Sequence, residues 1–530
     1  MGDVMANSKK LQNLPLGTQD FGVLRDNDYL YVDKTNYVYD LMTTSRVLFL
    51  ARPRRFGKSL LVSTFEAVFR NRKELFDGLY IKEKTNYDWQ EYPVIKLDMS
   101  AIPCSGEHSK DFEKYLNAAL GDIAENYQVK LEADSTPQRN FSVLINQLRK
   151  KTGKPVAILI DEYDAPLIKN ISDEPKAIQM QEVLKDFYVV MKSEDANIKF
   201  IFLTGVSKFA KVSVFSGLNN LEDLSKNPKY ATLLGYTQNE LEYYFADRIE
   251  QLAQKENKTI PEMLEKIKYW YNGYQFNENS EKVYNPFSLL HLFSTNHFEA
   301  YWYERSGMHG KLIKIIKNNR FDLSQIEQKI YEKEIDLFDF KHISSLLLYT
   351  GYLTIENVCF NERGGKEYKL SFPNHDIRYP FLRDILSEYA NISMADISGH
   401  IDTIETCLKD ENYKLLIKEL NIFYANIPYD VQLNYEKYYQ GIFYVVLKLL
   451  GISIDVEIHT NEGSIDAVIH LEDKIYLIEF KLGKSSDEAL AQIHEKHYAE
   501  KYQNQNKKII LLGINFDREK RKISDWKVGE

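Results

Sequence analysis

Residues 51–61 read Ala-Arg-Pro-Arg-Arg-Phe-Gly-Lys-Ser-Leu-Leu. The apolar run Val47–Ala51 before them reads as a buried strand, and Leu60–Phe69 after them has the apolar spacing of a helix. A strand, a tight turn and a helix start form the setting in which backbone N–H groups wrap phosphate oxygens. In that setting Arg54, Arg55, Phe56 and Gly57 make the loop. Lys58 reaches the β- and γ-phosphates of ATP, and the Ser59 hydroxyl holds Mg2+. Arg52 stands where the usual G-x-x-x-x-G-K-[ST] pattern has its first glycine. On its own the Gly57-Lys58-Ser59 triplet also fits a plain helix start after a basic loop.

A second stretch, VAILIDEYD, narrows the choice. It is an apolar strand that ends in two acids. Asp161 can hold magnesium through a water, and Glu162 can polarise a water for attack on the γ-phosphate. A solvated strand end is the bland alternative, but the order of loop, acid-tipped strand and a further apolar strand is what a P-loop ATPase requires. That further strand, IKFIFLTGVS, places Thr204 and Ser207 where a polar strand tip can sense a phosphate; ordinary turn capping fits them as well. Arg52, Arg54 and Arg55 can supply positive charge to the transition state or pair with local carboxylates.

Outward from this centre, Val47–Ala51, Val94–Leu97, Val156–Ile160 and Phe200–Leu203 read as buried strands separated by helices such as Gln181–Met191. That alternation predicts an α/β fold with a mostly parallel sheet, over residues 14–234. Residues 235–422 read as mainly helical, opening with a capping box at Thr237 and Glu240. GYLTIENV and EYKLSFPN are short enough to make a hairpin. Residues 427–530 form a third block: an apolar helix over 435–450, the strands ISIDVEIHT, IDAVIHL and KIYLIEFKL, a helix over 486–502, and a final strand KKIILLGINF. This pattern predicts an α/β/α domain with a mixed sheet.

In the third block Glu479 and Lys481 share a strand face, because side chains alternate along a strand. Asp466, on the preceding strand, can come close to Glu479. Two carboxylates and a lysine at one place can hold magnesium and activate a water for phosphodiester hydrolysis. An isolated Glu-x-Lys is more often a solvated ion pair. His494 and His497 lack the partners of a zinc motif.

The chain has 530 residues, 44% apolar and 27% charged, which fits several soluble globular domains. No stretch has the eighteen apolar residues of a membrane span, and no signal-peptide pattern opens the chain. Cys104, Cys359 and Cys407 are scattered, so neither a disulfide framework nor a cysteine zinc site is indicated; a cytoplasmic setting is expected. Net charge is −9, and the last hundred residues hold 14 Lys/Arg against 16 Asp/Glu. Charge therefore gives DNA or RNA binding no support. The basic residues Lys501, Lys507, Lys508, Arg518, Lys520, Arg521 and Lys522 fit either a nucleic-acid groove or a solvated tail.

The strings YLYVDKTNYVYDL, FLARPRRFGKSLL, ILIDEYDAPL and FLTGVSKFAKVSVFSGLNNL resemble the AAA-ATPase-like proteins, relatives of the STAND and archaeal P-loop ATPases. WYNGYQF, VYNPFSLL, LLLYTGYLTI and FPNHDIR extend the resemblance over nearly the whole chain. The RPRRFGKS loop is similar to the family's own version. The resemblance implies an additional-strand P-loop sheet and a helical lid. It sets Asn285 and Pro286 near the nucleotide, where a simple helix start is the plain alternative. It sets Tyr31, Asp33 and Lys34 beside the adenine.

The flanking text IEFKLGKSSDEALAQIHEKHYAEKY resembles the PD-(D/E)XK nuclease superfamily, with its restriction-endonuclease-like fold. By that resemblance Asp466 and Glu479 are metal ligands and Lys481 is the catalytic lysine. Glu457 matches an upstream acid, and Gln492 and Tyr498 lie over the site. Relatives often carry arginine where this chain has Ser464. The reading that follows is an ATP-dependent regulator joined to a magnesium-dependent nuclease-like effector acting on DNA or RNA. Its rivals are a nucleotide-gated module that binds without cleaving and an ATPase whose C-terminal fold is a scaffold. Self-association is left open.

Overall fold

The computed structural model describes residues 11–104, 109–171, 173–207, 220–327, 329–331, 342–361, 364–425, 435–450, 453–460, 463–517 and 519–529. The chain forms two compact units. One comprises Met1–Ser306 and Gln328–Asp376; the other comprises Gly307–Glu327 and Ile377–Glu530. The helical block expected over 235–422 is thus divided between them.

The first unit is built on a five-stranded parallel sheet. Its strands are β1 (Val47–Ala51), β2 (Val94–Asp98), β3 (Val156–Asp161), β4 (Ile198–Gly205) and β5 (Glu222–Asp223), in the order β2-β3-β4-β1-β5. The four apolar runs seen in the sequence are β1 to β4. They are apolar on both faces because helices cover both faces of a parallel sheet. On one face Phe49, Ile95, Leu97, Ile158 and Ile160 pack with Phe112, Leu116, Phe141, Leu144 and Phe187. On the other, Phe65 of the helix Lys58–Phe69 meets Phe200 and Phe202 of β4 at ring distances of 5.2 and 4.9 Å. Strand β4 lies between β1 and β3, which sets the phosphate loop and the acidic strand tip one strand apart.

Local signals set the ends of these helices. The helix Pro137–Thr152 starts at Thr136, whose hydroxyl accepts from Arg139 N, and ends at Gly153 with φ 70°. Both members of the Thr237/Glu240 capping box are present. The expected hairpin is real: β7 (Thr354–Phe360) and β8 (Lys366–Ser371) pair antiparallel, and β6 (Lys329–Tyr331) joins the free edge of β8.

The second unit carries a mixed sheet of β9 (Ser453–Thr460), β10 (Gly463–His470), β11 (Lys474–Leu482), β12 (Lys508–Asp517) and β13 (Lys522–Gly529), in the order β13-β12-β11-β10-β9. Only β11 and β12 are parallel. A parallel pair needs a crossover. Here it is the helix Ser486–Glu495 followed by the 3-10 stretch Tyr498–Gln505. The single helix expected over 486–502 is broken at His497, which has φ 50°. Strand β13, which begins at Lys522, the last of the basic residues singled out near the chain end, pairs along β12.

One face of this sheet packs under the crossover through Val468, Ile475, Leu477, Leu490, Ile493 and Leu511. The opposite face meets helices: Phe480 lies 4.3 Å from Phe443, and Phe516 4.2 Å from Tyr439. The crossover helix comes close because Gly513 has no side chain. A Cβ there would lie 2.5 Å from the Ser486 carbonyl oxygen.

Candidate ATP site and candidate nuclease site

The phosphate loop leaves β1 and turns into the helix Lys58–Phe69 through Arg55 at φ 68° and Gly57 at φ 90°. Left-handed backbone at Gly57 is cheap only for glycine. Gly57 is also the N-cap, and among the described residues no side chain caps the helix start. The first amides of a helix have no carbonyl one turn behind them. This N-terminus therefore offers donors and the positive end of the helix dipole to an anion.

Lys58 is buried and folded back over the loop, donating to the Arg52 carbonyl at 3.1 Å and the Pro53 carbonyl at 3.0 Å. Burial pushes its ammonium pKa down, and Glu162, Asp161 and Asp164 hold it up. Asp161 is raised by burial, partly offset by a hydrogen bond from Ser59. Lysine, serine and both acids of the sequence reading are thus brought together. These groups fit Mg2+-ATP: the uncapped amides and Lys58 suit phosphate oxygens, and Ser59 with Asp161 suits a hard cation.

Glu162 has φ 46°, a left-handed conformation rare outside glycine. Its neighbours fix it: Glu162 N donates to Asp161 Oδ1 at 2.9 Å, and Tyr163 N to the Thr204 carbonyl at 3.0 Å. The strand-tip acid is therefore presented by a turn held on both sides.

The other residues suggested for this region have structural partners. Thr204 is fully buried and donates to the Leu50 carbonyl at 2.8 Å, tying β4 to β1. The Ser207 hydroxyl donates to Asp164 at 2.5 Å. Arg52 is buried, bonds the carbonyls of Ala51, Ser225 and Tyr230, and stacks 4.0 Å over Phe276. Burial lowers its pKa to about 9. Arg54 donates to the Ser306 carbonyl at 2.9 Å, and Arg55 lies 4.7 Å over the Phe287 ring. Asn285 caps its helix, accepting from Phe287 N and Ser288 N, which is the plain role weighed for it. Asp33 accepts from Thr35 N and Tyr80 N, and Lys34 pairs with Glu240 at 2.6 Å.

In the second unit the strand register gathers the acids. Ala467 lies opposite Ile478, so one step on Asp466 lies opposite Glu479. Asp466 Oδ2 accepts from Phe480 N at 2.7 Å. On the other side Ile465 pairs with Ile458 and Ala467 with Val456, which puts position Glu457 opposite Asp466; the Glu457 side chain lies outside the described residues. Lys481 Nζ lies 2.9 Å from Glu479 Oε1 and donates to Gln492 Oε1 at 2.5 Å. Tyr498 is buried against this group: Gln492 hydrogen-bonds its phenol, and the fields of Glu479 and Asp466 raise it further after burial does.

Glu479 is 2% exposed, and its Oε2 is buried with no hydrogen-bond partner among the described residues. Burial first, and Asp466 next, push its pKa up to about 7. A buried carboxylate oxygen left unbonded costs about 1–3 kcal/mol. Two carboxylates at one place, one with an unbonded oxygen, are hard oxygen donors of the kind Mg2+ takes, and a cation held there would offset that cost. Of the basic run, Lys507 donates to the Leu471 carbonyl, Lys508 pairs with Glu411 and Lys520 with Asp517; Arg518 lies outside the described residues.

Comparison with known proteins finds a family match in each of these two regions. Residues 15–215 match the family described as "Predicted AAA-ATPase", and residues 434–526 match the PD-(D/E)XK nuclease superfamily. A protein of Azotobacter chroococcum mcd 1, named "Uncharacterized protein in vnfD 5'region", is 33% identical over 529 residues, covering 97% of this chain and 98% of the relative. The chain belongs to the AAA-ATPase-like family, with a C-terminal PD-(D/E)XK domain.

The AAA-ATPase-like unit has contacts at its loop that the sequence reading missed. Trp302 Nε1 donates to the Arg54 carbonyl at 3.0 Å. Gly351 passes so close that a Cβ there would lie 2.6 Å from Pro53 Cβ. Nothing in the local pattern around either residue signals a partner so far along the chain. Asp164 was legible only as the last acid of VAILIDEYD. No helix among the described residues is long and apolar enough to cross a membrane.

Proposed function

We propose that this protein is an ATP-hydrolysing regulator whose nucleotide state controls a magnesium-dependent, nucleic-acid-cleaving C-terminal site. The observation that carries it is the convergence of Asp466, Glu479, Lys481 and Gln492, with one carboxylate oxygen of Glu479 buried and, among the described residues, without a hydrogen-bond partner.

In the ATP site the loop amides and Lys58 bind the phosphates. Ser59 and Asp161 hold the cation, and Glu162 orients a water. Bound Mg2+ draws charge off the phosphate oxygens. In the nuclease-like site Asp466 and Glu479 would hold Mg2+, which would supply Lewis-acid chemistry when bound. Lys481, kept in place by Gln492, is set to orient an attacking water toward the phosphodiester.

The test is degradation of DNA and of RNA with Mg2+ and ATP by wild type, Lys58→Ala and Glu479→Ala. Cleavage lost in Glu479→Ala and altered in Lys58→Ala is the expected result. Equal activity in all three refutes the proposal. Nucleic-acid binding with no cleavage under any divalent cation favours a non-cleaving module instead.

A further inference from the structure

We infer that Asp164 is a positioning residue for ATP turnover, locking the turn that presents Glu162 to the tip of β4. The inference rests on reading Glu162 as the residue that orients the attacking water.

Asp164 is fully buried and faces the end of β4. Its carboxylate accepts from Val206 N at 3.1 Å, from Ser207 N at 2.7 Å and from the Ser207 hydroxyl at 2.5 Å. The ring of Tyr163 runs the same way, and its hydroxyl donates to the Ser207 carbonyl at 2.9 Å. Tyr163 N already bonds the Thr204 carbonyl. The two residues after Glu162 thus bond three residues of the β4 end, Thr204, Val206 and Ser207, with Gly205 packed between them.

The fit is close. A Cβ on Gly205 would lie 2.4 Å from Asp164 Oδ1 and 2.6 Å from the Tyr163 ring. Glycine at 205 is what lets the two tips touch. Behind Asp164, its own carbonyl accepts from Leu167 N and Ile168 N, so it also starts the helix Ala165–Lys169. A left-handed Glu162 is strained and persists only when its surroundings over-determine it. The Asp164 grip supplies that determination on the C-terminal side. A buried carboxylate is an unusual choice for holding a turn, since three neutral donors must offset its desolvation. It places the end of β4 and the Glu162 turn in one rigid piece, within the electrostatic reach of Lys58.

The test uses the full-length protein, with steady-state ATP turnover and binding of a fluorescent ADP measured in parallel. Glu162→Gln is expected to slow kcat by about 100-fold. Asp164→Ala is expected to slow kcat on the order of 30-fold, with ADP affinity within about twofold, because a displaced turn misplaces the water without removing the phosphate cradle. Asp164→Asn keeps an oxygen for the two amides and is expected within about threefold of wild type. A slow Glu162→Gln beside an Asp164→Ala of wild-type kcat overturns the positioning role alone. So does an Asp164→Asn as slow as Asp164→Ala, which would make the charge, not the bonds, decisive. Wild-type turnover in Glu162→Gln overturns the underlying reading and this role with it. If Asp164→Ala does not fold, Gly205→Ala decides: its methyl would lie 2.4 Å from Asp164 Oδ1 and force the grip apart, and an unchanged kcat overturns the inference.

Discussion

Lys481 and Glu479 meet on one face of one strand, Nζ 2.9 Å from Oε1, while Glu479 Oε2 points into the protein with no hydrogen-bond partner among the described residues. A lysine that neutralises only one oxygen leaves the other for a cation. Without nucleotide, Mg2+ is expected to raise the unfolding temperature of the unit that holds this site. At about ten times its dissociation constant the stabilisation is roughly 1.4 kcal/mol. Glu479→Gln and Asp466→Asn should lose the shift, read by calorimetry. A shift of the same size in both variants places the metal elsewhere.

Asp376 gives the first unit a pH dependence. It is buried, accepts from Ser288 Oγ at 2.6 Å, and its pKa is pushed up to about 7, chiefly by burial. The unfolded chain therefore releases this proton first as pH rises. The stability due to the protonated group is complete below about pH 4 and is lost as pH climbs through 7. Between those limits wild type should lose on the order of 4 kcal/mol relative to Asp376→Asn. Urea unfolding from pH 5 to 9 measures the difference; parallel curves for the two proteins would exclude it.

Trp302→Phe removes the indole bond to the Arg54 carbonyl. The loss is worth about 1 kcal/mol, or roughly a fivefold fall in nucleotide affinity if the loop must be held to bind. Titration with a fluorescent ADP reads it. Unchanged affinity would mean that the indole props the unit without shaping the cradle.

Gly513→Ala sets a methyl 2.5 Å from the Ser486 carbonyl and 3.1 Å from Ala489 Cβ. Such overpacking costs about 1–3 kcal/mol. It should lower the second unit's melting temperature and, by moving the helix that carries Gln492, reduce cleavage. ATP binding should stay as in wild type. Normal cleavage by a protein of lowered stability would show that Gln492 tolerates displacement.

Much of the fold was legible because it rests on short-range pattern. The strand KIYLIEFKL is β11 to the residue, and RPRRFGKS sits at the helix start it implied. What the sequence hid depends on distant partners. Thr204 reads as either a phosphate sensor or a turn cap at a strand tip, and the sequence does not show that its hydroxyl bonds the neighbouring strand β1. Asp164 reads as one more acid after Asp161 and Glu162, because nothing local shows that Gly205 leaves room for it. Strand β13 was obscured by its charges, which an edge strand keeps on purpose. The kink at His497 takes a left-handed residue, and histidine, though it enters that region more readily than most, does not announce it in sequence.

The two units are not consecutive stretches of chain: Gly307–Glu327 leaves the first for the second, and Gln328–Asp376 returns. A fragment started at residue 427 would shed Leu408, whose carbonyl accepts the Tyr476 hydroxyl, and Glu327, which pairs with Lys448. A single cut at residue 376 or beyond leaves Gly307–Glu327 of the second unit behind. Gene fusions, domain swaps and protease dissection of this protein must respect three crossings, and a dead fragment would report a torn seam, not an absent activity.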